Sequence, residues 1–139
     1  MTPDAIVRQW FQQVWDEGRE DAIDRLADPH AVIHGLGSAP MRGTADFKKM
    51  FYVFREALGD LEIAVEHTVT QGDTCAAHCR VKGRHVGHAL GGDPTGRPVE
   101  FTGITIAIVR DGRIVEGWNC FDFLTMYQQI GWVATPPAP

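Results

Sequence analysis

The spacing of apolar residues changes from a helical to an alternating period near Gly59, and that change limits the folds open to this chain. Before it, Val7, Trp10, Phe11, Val14 and Trp15 recur three and four residues apart, as do Phe47, Met50, Phe51, Phe54 and Leu58. Such spacing gathers side chains into one stripe of a helix. After it, Leu61, Ile63, Val65, His67 and Val69 alternate with polar residues, which assigns them to one face of a strand. Helices first and long strands afterwards make an α+β pattern.

Local signals divide the chain further. Thr2 is a cap, Pro3 suits the first helical position, and Asp4 suits the positive end of the helix dipole. Gly18 ends this helix, and a second is expected over 20–27. Asp28-Pro29 breaks it, and 31–34 reads as a short strand. Thr44 opens a third helix that ends at Gly59. A strand then runs to the turn Gln71-Gly72-Asp73, with its return over 74–85. The glycine-rich stretch 87–97 is a loop by composition, either a plain connection or a lid over a pocket mouth. Strands over 99–110 and 113–122 flank the hairpin turn Asp111-Gly112, and a short helix is expected over 123–130. Four long strands can twist and curl around the helices, leaving a cavity on the concave side. One domain over 1–139 is expected, with 136–139 as a loose extension.

Composition narrows the function. Thirteen basic against eighteen acidic residues give a net charge of −5, which offers a phosphate backbone no attraction, so no nucleic-acid partner is expected. No apolar run approaches the roughly 20 residues of a membrane span, and no secretory leader is visible, so a cytoplasmic location is expected. Cys75 and Cys79, on one strand, stand roughly 13 Å apart and cannot bridge; with Cys120 they read as buried, reduced thiols. Cys75, Cys79, His85 and His88 lack ligand-pair spacing, so no metal site is expected. Gly-x-Ser-x-Gly and Gly-x-Gly-x-x-Gly are both missing, which argues against a serine nucleophile and a dinucleotide cofactor.

The second half carries a specific resemblance. Gly83-Arg84-His85-Val86-Gly87 and Pro94-Thr95-Gly96 resemble the Gly-x-His-x-Gly and Pro-Thr-Gly signature of SnoaL-like polyketide (ester) cyclases. Phe101-Thr102-Gly103, the run from Asp111 to Trp118, Asp122, and Gln128-Gln129-Ile130-Gly131 continue it. The resemblance implies the cone-shaped, cystatin-like roll of nuclear-transport-factor-2-like proteins, with a curved antiparallel sheet packed on N-terminal helices. It also implies a homodimer, a small hydrophobic carbonyl-containing ligand, and ring closure by intramolecular aldol chemistry without a cofactor. An aspartate near the end of the last strand is the family's acid/base, and Asp122 matches it.

Period two from Ile114 places Glu116, Trp118, Cys120 and Asp122 on one face, so Asp122 is expected to be partly desolvated, with a raised pKa. The competing reading makes Asp122 the N-cap of the terminal helix. His34 and His85 are the candidate donors or second acid/base groups. Trp15, Phe51 and Trp118 are expected to line the cavity. Thr102, Ile104, Ile106 and Ile108 are expected to form a greasy wall, with Ile108 where the family often carries Arg or His. Epoxide opening or isomerisation on the same fold is an alternative, although no arginine matches an Asp–Arg–Asp set. A non-catalytic ligand-binding or dimerisation domain is the other.

Overall fold

A computed structural model describes residues 1–137; of the tail expected at 136–139, residues 138–139 lie outside the described residues. Helix α1 (Pro3–Gln9) begins as its sequence predicts, with the Thr2 hydroxyl accepting the Ala5 N–H at 3.2 Å. It then widens into a π-helical stretch, Trp10–Asp16, where the Glu17 N–H bonds to the Gln12 carbonyl, five residues back, at 2.9 Å. This winding brings Trp10 and Trp15, five residues apart, against the same Phe47 ring, with centroids 5.0 and 6.0 Å away. Helix α2 (Glu20–Leu26) follows, then strand β1 (Ala27–His34), the two-residue β2 (Met41–Arg42) and helix α3 (Thr44–Ala57).

Four long strands come next: β3 (Leu58–Gln71), β4 (Thr74–His85), β5 (Pro98–Arg110) and β6 (Arg113–Phe121), with helix α4 (Phe123–Gln129) closing the chain. The sheet order is β2-β1-β6-β5-β4-β3, antiparallel except where β1 runs parallel to β6. Strand β1 starts four residues earlier than expected despite Pro29. The ladder with β6 is interrupted between Ala27 and Val32, so the proline sits where no ladder N–H is needed. At the β5–β6 hairpin, Asp111 and Gly112 both take positive φ, 52° and 77°, as a tight two-residue turn requires.

Bulges curve the sheet and set which side chains face inward. On β3 the register shifts between Val65 and His67, and on β6 an extra residue, Val115, lies between Ile114 and Glu116. Each extra residue turns the rest of its strand over. Leu61 and Ile63 therefore stay inside, whereas Val69, expected on the same face, is 73% exposed. Helices and the concave sheet face enclose the core, with Ile6, Ile23, Leu26, Phe47 and Met126 fully or almost fully buried. Among the described residues no helix is long and apolar enough to cross a membrane.

Candidate active site

Between α1, its π-helical extension, α3 and the concave sheet face lies a partly open, apolar cleft with a cavity volume of about 80 Å³. Val7, Trp10, Phe11 and Trp15 supply one wall, with Phe47, Met50 and Phe54 from α3. From the sheet come Phe101, Thr105 and Ala107 of β5, and Ile114, Gly117, Asn119 and Phe121 of β6. None of the residues lining the cleft is ionisable.

Its polar feature is the pair Thr105 and Asn119, partners across the β5–β6 ladder. Asn119 Nδ2 donates to the His34 carbonyl at 3.1 Å, which turns Oδ1 toward Thr105. The Thr105 hydroxyl must then be the donor in its 2.8 Å bond to Oδ1. One amide N–H of Asn119 and the lone pairs of Thr105 Oγ1 remain for a ligand. Gly35 makes the arrangement possible. It takes φ +88°, and any side chain there would run into the Asn119 carbonyl oxygen.

Asp122 sits elsewhere. It is the N-cap of α4, accepting the Thr125 N–H at 3.0 Å and the Thr125 hydroxyl at 2.6 Å. Those bonds hold its carboxyl below the usual range, with the hydroxyl as the larger cause. The expected desolvated, raised carboxyl in a pocket is corrected on both counts: the side chain is exposed and its shift is downward. The Val115 bulge is the reason, because it leaves Gly117, Asn119 and Phe121 facing inward and sends Trp118 and Cys120 outward.

The same geometry relocates most of the expected wall. Thr102, Ile104, Ile106 and Ile108 alternate with the buried Phe101, Gly103, Thr105 and Ala107, so they lie on the outer sheet face. Ile104 is 49% and Ile106 40% exposed, and Trp118 beside them 39%. His34 also faces outward: its ring stacks on Trp118 at 5.3 Å, and Nε2 lies 2.8 Å from Glu116 Oε2. Only its main-chain carbonyl reaches the cleft pair.

His85 is fully buried but lines no part of the cleft. Its Nδ1 accepts the Thr95 N–H at 3.1 Å, and its ring meets Trp132 edge to face at 5.0 Å. It pins the connection between β4 and β5, as does Glu56, which accepts the N–H groups of His88 and Ala89 at 2.9 and 2.6 Å. Both ends of the loop are thus tied down, at His88 and Ala89 and at Thr95. Trp15 does line the cleft, and Phe51 packs behind it, 5.6 Å between ring centroids. Cys75 and Cys79 are buried, and burial pushes the Cys79 thiol up to about 12; Cys120 is exposed, contrary to expectation. No group of three or more His, Cys, Asp or Glu suited to a metal occurs among the described residues.

Residues 5–130 match the SnoaL-like polyketide cyclases. This chain belongs to the SnoaL-like polyketide cyclase family. Aklanonic acid methyl ester cyclase DauD of Streptomyces sp. (strain C5) is 30% identical over 138 residues, 89% of this chain and 81% of that one. Wild-type IdmH of Streptomyces antibioticus, a proposed polyketide cyclase, is 31% identical, with a TM-score of 0.83 over 94% of this chain and 99% of that one. A SnoaL-like protein from Jannaschia sp. CCS1 superposes with a TM-score of 0.85 over 96% of this chain and 93% of its own; at 24% identity it bears on the fold alone. The curved, unclosed sheet packed on helices is the nuclear-transport-factor-2-like fold that the family shares. Sequence pattern alone does not single out Thr105 and Asn119: Asn119 faces inward only because of the β6 bulge at Val115, and Thr105 because it is the ladder partner of Asn119.

Proposed function

We propose that this SnoaL-like protein binds a hydrophobic, polyketide-like carbonyl compound in its cleft and promotes ring closure by holding it folded. The observation that carries this reading is the Thr105–Asn119 pair set alone in an otherwise apolar wall. The free Asn119 N–H is a donor for a carbonyl oxygen, and the Thr105 oxygen is an acceptor for a neighbouring enol or hydroxyl. A 1,3-dicarbonyl in its enol form presents that pattern.

Confinement supplies the first contribution, since holding the reacting carbons together removes the entropy of bringing them together. The Asn119 N–H supplies the second, by meeting negative charge that develops on the carbonyl oxygen as the new carbon–carbon bond forms. With no ionisable side chain in the wall, the hydrogen between the two carbonyls leaves to a solvent base. The alkoxide formed on closure takes its proton from water. Asp122, capped onto Thr125, takes no part in this scheme. Epoxide opening gains no support, because the wall presents neither carboxylate nor guanidinium.

Aklanonic acid methyl ester, the compound in DauD's name, is the first substrate to try. Cyclisation faster than the buffer rate, lowered roughly 100-fold by Asn119→Leu, supports the reading. Binding without any acceleration would reduce it to ligand binding; no binding would sink it. The outer face adds a second element. Ile106 and Trp118 are ladder partners, and with Ile104 they form an exposed apolar patch on which two copies pair.

A further inference from the structure

The bulge in β3 gathers polar side chains on the outer sheet face, away from the cleft. Between the ladder pairs Val65–Cys79 and His67–His78, β3 carries one residue more than β4, Glu66. Successive strand residues normally alternate faces. Here Glu66 and His67 share one, because both meet the outward side chains of β4. Glu66 Oε2 accepts from Arg80 Nε at 3.2 Å, and its Oε1 lies 3.5 Å from His78 Nδ1. The His67 ring lies against the His78 ring, with centroids 5.7 Å apart and planes inclined by 33°.

Two imidazoles that bind one tetrahedral ion at roughly 2.1 Å have ring centroids about 5 Å apart. His67 is exposed and His78 half-buried, so a small turn of the side chains closes the difference. With Nδ1 facing Glu66, His78 keeps Nε2 for a ligand. An imidazole bound to a metal through one nitrogen typically offers its other N–H to a carboxylate, which fixes the tautomer and raises its basicity. Glu66 stands in that place. The nearby Arg80 charge is offset by two carboxylates, Glu66 and Glu100, each 3.2 Å away. We propose that His67 and His78 form a site for a divalent transition-metal ion of the zinc, copper or nickel class, with Glu66 positioning His78. Imidazole suits those ions, whereas calcium and magnesium favour oxygen ligands. Two protein ligands leave the other coordination positions to water. His78 is the ladder partner of Ile104, so the site lies at the rim of the outer apolar patch and is independent of the cleft.

Calorimetry of the untagged native chain with zinc chloride tests this, with calcium chloride alongside. One zinc per chain is expected, with a dissociation constant on the order of 10 μM, as two of a structural site's four ligands imply. His67→Ala and His78→Ala should each weaken zinc roughly tenfold or more, and His88→Ala less than about twofold. Zinc should also shift the ring resonances of His67 and His78 and of no other histidine. That measurement needs no variant and decides the matter if one fails to fold. Glu66→Gln should weaken zinc by roughly threefold and move the His78 Nδ1 resonance, which a merely structural role would leave in place. Native zinc affinity after removal of either histidine would overturn the site, as would shifts at other histidines. So would no uptake of zinc at about 1 mM, or calcium binding as tightly as zinc.

Discussion

The Thr105 hydroxyl donates to Asn119 Oδ1 at 2.8 Å, and Asn119 passes the connection on to the His34 carbonyl at 3.1 Å. Three strands, β5, β6 and β1, are thereby tied together at the one polar point of an apolar cleft. The pair serves both fold and ligand, and substitutions separate the two contributions.

Asn119→Leu keeps the volume but removes the donor. It also leaves the Thr105 hydroxyl and the His34 carbonyl without their partner. Leaving such groups unpaired costs about 1–3 kcal/mol, which urea unfolding will read. Affinity for anthrone should fall roughly tenfold, the worth of one hydrogen bond in a dry site. Affinity for anthracene, which has the same rings and no carbonyl, should not change. Equal losses for both ligands would mean that Asn119 shapes the cleft without contacting the carbonyl.

Asp122 is best tested through its cap. Its carboxyl is held below the ordinary value of 3.8, so its bonds to Thr125 stabilise the fold fully above that value. That contribution is lost as pH falls through the lowered value. Asp122→Ala should lower Tm by a few degrees at pH 7, and the deficit should shrink toward acid. Asp122→Asn, which caps without a charge, should stay near native stability at pH 7. Under the proposed scheme it also keeps native cyclisation. A large rate loss in a stable Asp122→Asn would restore the aspartate as acid/base.

Much of the fold could be read in the sequence because its signals are local. Strand β4 runs over 74–85 as expected, and β5 starts only one residue early. Thr2, Gly18, Thr44 and Asp111-Gly112 act as their chemistry predicts. The candidate site could not be read, for a different reason on each of its two strands. A period-two argument carries an assignment along a strand only while the ladder stays in register, and Val115 breaks it. Upstream of the bulge, Ile114 is inside as expected; downstream, Trp118 and Cys120 exchange places with Gly117 and Asn119. On β5 no bulge intervenes, and the error comes from the resemblance: Ile108 stands where the family often carries Arg or His, which assigns the face of Thr102, Ile104, Ile106 and Ile108 to the pocket. The buried set, Phe101, Gly103, Thr105 and Ala107, is smaller because it borders a cavity and the Phe121 ring.

Gly35 provides a test of how tightly the site is built. With φ at +88° and the Asn119 carbonyl where a side chain would stand, Gly35→Ala suffers both strain and collision. A loss of about 2–4 kcal/mol is expected by urea unfolding, well above the ~1 kcal/mol typical of a substitution. Because the collision pushes β1 off β6, the Asn119 bond to the His34 carbonyl should weaken as well. Amide exchange on β1 and the end of β6 should then accelerate more than on β3 and β4. Uniform acceleration would mean a global loss of stability with no particular link to the cleft.

The outer face yields the last expectation. Ile104, Ile106 and Trp118 stand in a row across β5 and β6, with the His34 ring stacked on Trp118 and hydrogen-bonded to Glu116. An exposed apolar patch rimmed by polar groups is what an interface between copies presents. Sedimentation should therefore give twice the chain mass at micromolar concentration. Ile106→Glu puts a charge at the centre of the patch and should shift the species to monomer. Its side chain points away from the cleft, so anthrone affinity should stay within about twofold if the two faces act independently. A native chain that sediments as a monomer would remove the dimer proposal. Loss of ligand binding in a folded Ile106→Glu would show that pairing shapes the cleft through the shared β5 and β6 backbone.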